Sequence, residues 1–271
     1  MDDESGHRKW MREQLRIAAD HFEMEPVGDV KWGWRDRTIG SRARSAAGDR
    51  WLRASWATLQ WTKGDYWTGN DDARVIVDVS KPAVLGLHEW GQDNYRVRAE
   101  LMNLVSDPAC STSPELRSEI TVPEHWWADL RASLAALAKV PTERGNADQN
   151  RVTRRLLMFF GDRVDPTVHS WQTAHGDLDW TNLTAPNLVL LDWESWGRKP
   201  AGYDAANLYV LALLAPDTAK QLHDTFADVL DSPAGILAQL YAITRYLRRV
   251  EHGDFLDYAG HLHAHARTLL G

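Results

Sequence analysis

Inside the segment HGDLDWTN, residues 175–182, a carboxylate at Asp177 precedes an amide at Asn182 by five residues, and ten residues further on Asp192 closes the apolar run 188–191 within LLDWE. Acceptor side chains in this order suit phosphoryl transfer. One carboxylate orients a hydroxyl nucleophile, while an amide oxygen and a second carboxylate hold Mg²⁺ against nucleotide phosphates. All three are hard oxygen donors, as Mg²⁺ prefers, with no thiolate or imidazole among them. The plainer alternative has Asp177 capping a turn and Asp192 ending a strand, and the joint spacing weighs against it.

Such residues need elements to position them. Residues 8–22 place Trp10, Leu15, Ile17, Ala18 and Phe22 on a loose apolar face at helical spacing. Beyond Pro26 the pattern shortens, and residues 38–46, 50–58, 83–90 and 95–104 are expected to be strands of an antiparallel sheet. Turns are expected at 48–49 and 91–94, and a short helix within 70–77. From Pro123 the chain becomes helical, with Trp126, Trp127, Leu130, Leu134 and Leu137 three to four residues apart. Further helices are expected over 147–160, 205–214, 218–230, 236–249 and 255–269. The expected fold is α+β, with a sheet part, 1–103, a helical part, 104–271, and a cleft between two lobes. The motif falls in the helical part, on a loop and a small hairpin.

Composition bounds the function. The 271 residues are 44% hydrophobic and 25% charged, as in an ordinary globular protein. A net charge of −7 disfavours nucleic acid as a partner and suits a cationic substrate. No apolar stretch approaches the ~20 residues of a membrane span, so no membrane partner is expected. The opening MDDESGHRKW is polar where a secretion signal would be apolar, and Cys110 is the only cysteine. A cytoplasmic location is therefore expected. The 14 tryptophans are expected mostly in the core, with some lining a substrate cleft.

HGD followed by four residues and Asn, then LLDWE, then WGRKPAGYDAANL, resembles the aminoglycoside phosphotransferase and choline kinase family, most closely over residues 173–208. The resemblance implies a two-lobed, protein-kinase-like fold. It makes Asp177 the catalytic base and Asn182 and Asp192 the Mg²⁺ ligands. It gives His175 a bracing role, shared by Asp204, which would also cap the helix that follows. Asp179 departs from the usual family loop and would face either a cationic substrate or solvent. Glu194 would touch a second Mg²⁺ or a substrate amine. Trp180, Trp193 and Trp196 flank the same site, with stacking on substrate open for Trp196 and packing expected for at least two of the three.

A kinase-like nucleotide site needs a cation on the third strand, and Arg53 is the candidate, its alternative being a solvent-facing strand residue. Its carboxylate partner would be Asp71 or Asp72. The phosphate-covering turn is expected near residues 34–45, where only Gly33 and Gly40 occur, so backbone N–H groups and Ser41 would cradle phosphates. The base of ATP or GTP would dock at the connector on the Glu100 C=O and Met102 N–H. His261, His263 and His265 are expected on a solvated helix end, since only two share a face. Arg151, Arg154 and Arg155 form a solvated helix face or an anchor for an anionic group.

The expected function is Mg²⁺-dependent transfer of the nucleotide γ-phosphoryl group to a hydroxyl of a small molecule, an aminoglycoside-like compound or an amino alcohol. Two alternatives remain. One is a kinase for Ser or Thr of a peptide, and the other a kinase-like binding module without catalysis.

Overall fold

A computed structural model of the chain describes residues 6–145 and 147–271. Apolar spacing of 3–4 residues makes α1 (Gly6–His21), which buries Met11, Leu15 and Ala18. Strands β1 (Glu25–Trp32), β2 (Thr38–Ser45) and β3 (Gly48–Thr58) follow, then a one-turn helix α2 (Gly69–Asp72) and strands β4 (Val84–Gln92) and β5 (Tyr95–Asn103). They form a five-stranded antiparallel sheet in the order β1-β2-β3-β5-β4. Period-two alternation sends Ile39, Ala43, Leu52, Ala54, Val97 and Ala99 to the face that α1 covers.

Strand β1 was not among the expected strands. Lacking any buried residue, it gives no alternation to read, and it bulges between Val27 and Lys31, where Gly28 takes φ 75°. The expected turn residues 48–49 belong to β3, because Ser45 pairs with Gly48 and the turn is 46–47.

The helical unit begins with α3 (Glu124–Leu137) and α4 (Gln149–Phe160), the latter capped by Asp148, which accepts from Arg151 N at 2.7 Å. Strands β6 (Trp171–Ala174) and β7 (Gly197–Pro200) pair antiparallel. Helices α5 (Tyr203–Val210), α6 (Pro216–Leu230), α7 (Pro233–Val250) and α8 (Ala259–Leu270) complete it. The α7 helix runs through its centre and buries Leu237, Leu240, Ile243 and Leu247. The described residues divide into two compact units, the chain up to Val75 with Lys81–Ser106, and Ile76–Ser80 with Asp107–Gly271. Among the described residues, no helix is long and apolar enough to cross a membrane.

Gly235, in the first turn of α7, tests this packing. A Cβ there would stand 1.9 Å from the Val229 carbonyl oxygen. Gly235→Ala is expected to destabilise the chain by about 1–3 kcal/mol or more through overpacking, read as a lower urea midpoint at unchanged slope.

Candidate active site

The loop between β6 and β7 is held by groups that reach it from far along the chain. Asp204, in the first turn of α5, accepts from His175 N at 2.6 Å and Gly176 N at 2.9 Å. Asn207, one turn on, donates to Leu178 O at 2.9 Å and accepts from the Tyr246 hydroxyl at 3.1 Å. The fully buried His175 donates from Nε2 to Leu191 O at 2.8 Å and packs edge-on against Trp193, and burial lowers its pKa. Gly176 has φ 79°, and a Cβ there would lie 2.5 Å from Ser195 O, so the close approach requires glycine.

Within this frame Asn182 Nδ2 donates to Asp177 O at 2.9 Å, which fixes the amide plane and turns Oδ1 to the opposite side. Leu191 N donates to Asn182 O at 2.8 Å beside the Leu183–Leu190 bridge, so Asp192 follows directly after a residue paired with Asn182. Asp192 takes a left-handed backbone, φ 59° and ψ 66°, and then enters the 3₁₀ turn Trp193–Ser195. A non-glycine residue there is strained, and strain of this kind gathers at functional sites. An amide oxygen and a carboxylate suit Mg²⁺, which is commonly completed by water and substrate phosphates.

Arg245 of α7 is the residue that sequence reading missed. Its guanidinium pairs with Asp177 Oδ1 and donates to Gly176 O at 3.2 Å. Burial opposes its charge, but Asp177 and the tyrosines around it outweigh that and keep it protonated. In the string TRYLRR, Arg245 is indistinguishable from the basic last turn that many helices carry.

Among the expected substrate residues, two differ from expectation. Asp179 does not point to solvent, one of its two expected placements. It is 8% exposed and accepts from Thr181 N at 2.9 Å and Thr181 Oγ1 at 2.5 Å, and burial, with Asp177 nearby, raises its pKa. Trp196 is 3% exposed with the Arg144 guanidinium 4.7 Å over its ring, so it packs the hairpin as Trp180 and Trp193 do. Glu194 is half-buried in the turn after Asp192. His265 is not solvated, since it hydrogen-bonds Gln239 Oε1 at 2.9 Å, and burial pulls its pKa down to about 4.

In the sheet unit, register decides who meets whom. Gly40, Arg53 and Glu100 stand opposite one another across β2, β3 and β5. Arg53 Nη1 therefore lies 3.1 Å from Glu100 Oε2, which also accepts from Asn70 Nδ2 at 2.7 Å, while Arg98 Nε is 3.3 Å from Glu100 Oε1. Glu100 of β5 is thus a carboxylate beside Arg53, one that the expected partners on the short helix did not include. Asp71 pairs with Arg74, and Asp72 accepts from Thr68 Oγ1 at 2.6 Å. Glu100 and Met102 are not connector residues, because both lie within β5, flanked by β3 and β4. Ser41 is in β2, fully buried on the α1 face between Ile39 and Ala43, and cannot cradle phosphates from a turn. The turn itself is 33–37.

Lys199 is a further buried charge beside the loop. It is 5% exposed, with Nζ 3.5 Å from Ser195 O, and burial lowers its pKa to about 8 despite Asp204. Between that value and the ordinary 10.5 the unfolded chain binds more protons than the folded one. Stability should therefore rise with pH across this window, with the full cost of the buried ammonium present below it. Urea midpoints at about pH 7.5 and about pH 9.5 check this, and Lys199→Met should remove the Lys199 part of the rise.

No family model and no curated protein sequence matches the chain. Solved structures do. The crystal structure of the aminoglycoside phosphotransferase APH(4)-Ia is similar over 96% of this chain and 98% of that one, at 10% identity and a TM-score of 0.66. A thermostable mutant of that enzyme in ternary complex with ADP and hygromycin B covers 94% and 97%, at 10% identity and 0.63. The amicoumacin kinase hAmiN, in complex with AMP-PNP, Ca²⁺ and Ami, covers 96% and 92%, at 10% identity and 0.58. The chain therefore has an α+β, protein-kinase-like fold, with a five-stranded antiparallel sheet and a helical C-terminal part.

Proposed function

We propose that the chain is a phosphotransferase that moves the γ-phosphoryl group of ATP or GTP to a hydroxyl of a small molecule. The observation that carries this reading is the loop itself. Asp177, the Asn182 amide and the left-handed Asp192 are brought to one short stretch by backbone contacts that Asp204 and Asn207 secure. Asp177 Oδ1 is held by Arg245, and Oδ2 takes the proton of the acceptor hydroxyl as it attacks. Asn182 Oδ1 and the Asp192 carboxylate would hold Mg²⁺, which neutralises charge on the nucleotide phosphates when bound. Arg53, kept in place by Glu100, is the cation for the α- and β-phosphates. Most of the rate enhancement would come from positioning and fixed charge.

The neighbours solved with hygromycin B and with Ami support aminoglycoside-like compounds and amino alcohols as the first acceptors to try. They lend no support to a peptide acceptor. A nucleotide-consumption screen over aminoglycosides, amino alcohols, hydroxy acids and Ser/Thr peptides tests the reading. Turnover with at least one small hydroxylated compound is expected, and turnover with peptides alone would replace it. Asp192→Asn should raise the Mg²⁺ concentration for half-maximal nucleotide binding by about ten-fold or more, since a charged ligand is lost.

A further inference from the structure

Helices α4 and α7 carry cations that the loop chemistry leaves unused. Arg151 and Arg155 are four residues apart on α4 and share a half-buried face, while Arg154 is exposed on another. On α7, Tyr241, Arg245 and Arg248 recur at four and three residues and share a face. A continuous row leads to them from the loop. Arg245 pairs with Asp177 and interacts electrostatically with the Tyr203 hydroxyl, and the Tyr203 and Tyr241 rings lie 5.7 Å apart. The Arg155 guanidinium then sits 6.0 Å from the Tyr241 ring centroid.

Arg155 Nε is buried without a hydrogen-bond partner among the described residues. The strongest electrostatic neighbours of Arg155 are Tyr241, Arg151, Tyr203 and Arg248, with no carboxylate among them. Burial, reinforced by the two arginines, lowers its pKa. Lys199 adds positive charge near Arg151 and Arg245. A half-buried guanidinium whose Nε is buried without a partner is costly, and an unpaired polar atom of this kind marks the place of a missing partner. Guanidinium forks match oxyanions. Asp179, whose side chain would have faced either a cationic substrate or solvent, accepts from Thr181 through one oxygen.

We propose that Arg151, Arg155 and Arg248 bind an oxyanion, a carboxylate, sulfate or phosphate carried by the acceptor, so that the acceptor is an anionic hydroxy compound. The anion site stands on the arginine cluster, and its assignment to the acceptor rests on the phosphotransferase reading.

Inorganic phosphate and sulfate are the probes, titrated into the full chain at constant ionic strength set by chloride. Saturable binding is expected in the wild type. The triple variant Arg151→Gln, Arg155→Gln, Arg248→Gln should bind about ten-fold more weakly or worse, as charge-assisted hydrogen bonds are lost. Arg154→Gln should bind as the wild type does. Should the triple variant fail to fold, the exposed Arg248→Gln alone must weaken phosphate binding. No phosphate binding in the wild type, or equal binding in wild type and variants, overturns the site. AMP-PNP with Mg²⁺ distinguishes the source of the anion. Its affinity stays unchanged in the folded variant if the acceptor supplies the oxyanion, whereas a parallel loss assigns the cluster to nucleotide phosphate and overturns the acceptor assignment. Phosphate binding without any nucleotide binding would leave the anion site intact while overturning its assignment to an acceptor.

Discussion

Asp177→Asn should lower turnover by about 10²–10⁴-fold, the contribution of a positioned general base, while leaving nucleotide affinity close to that of the wild type. Asparagine keeps the shape and an oxygen for Arg245, so the loop geometry survives. What it loses is the basic oxygen that receives the hydroxyl proton. Steady-state kinetics with an acceptor found by screening, paired with AMP-PNP titration, separates the two effects. Turnover near that of the wild type would remove Asp177 from the chemistry. Equal loss of turnover and nucleotide affinity would mean that the substitution had disturbed the loop instead.

The largest stability effect is expected at Asp204. Its carboxylate satisfies two backbone N–H groups, those of His175 and Gly176, and it is 4% exposed. Asp204→Ala leaves both donors buried without a partner, at about 1–3 kcal/mol each. It also removes the negative charge that partly offsets the burial of Lys199, so the two residues should be energetically coupled. A double-mutant cycle with Lys199→Met checks this, with the alanine less damaging when Lys199 is already gone. Asp204→Asn keeps one acceptor oxygen and should fall between wild type and alanine. Because the same two N–H groups set the path of the chain into Asp177, the destabilised variants should also lose turnover beyond their loss of folded protein.

The sequence carried some of this site and not the rest, for physical reasons. Asp177, Asn182 and Asp192 sit within sixteen residues of one another, and the Asn182 amide bonds the Asp177 backbone, so their spacing in the sequence exposes them. Asp204 was legible through the family resemblance that GYDAANL carries. Arg245 was not, because its pairing with Asp177 spans 68 residues and depends on how α7 crosses the loop. Glu100 was misassigned to a connector because its partnership with Arg53 is a matter of strand register, and register joins residues 47 apart. Ser41 was legible and misread. Its place two residues from both Ile39 and Ala43 puts it on their face, and that face is buried under α1. Trp196 and Asp179 show the limit of composition. An aromatic ring or a carboxylate beside a catalytic loop can serve the loop's own packing, and here burial decides that both do.

The fold followed more readily. The helices with strong 3–4 spacing appear within a few residues of their expected bounds, and so do the strands with clear alternation. Strand β1, with neither, escaped, and the four-residue β6 and β7 were given no bounds.

The most direct test of the central claim is calorimetric titration of AMP-PNP into the wild type, with Mg²⁺ and with EDTA, and into Asp192→Asn with Mg²⁺. The account predicts binding that requires the metal and that weakens by about ten-fold or more when Asp192 loses its charge. Binding indifferent to both metal and Asp192, or no nucleotide binding by the folded wild type, would contradict it.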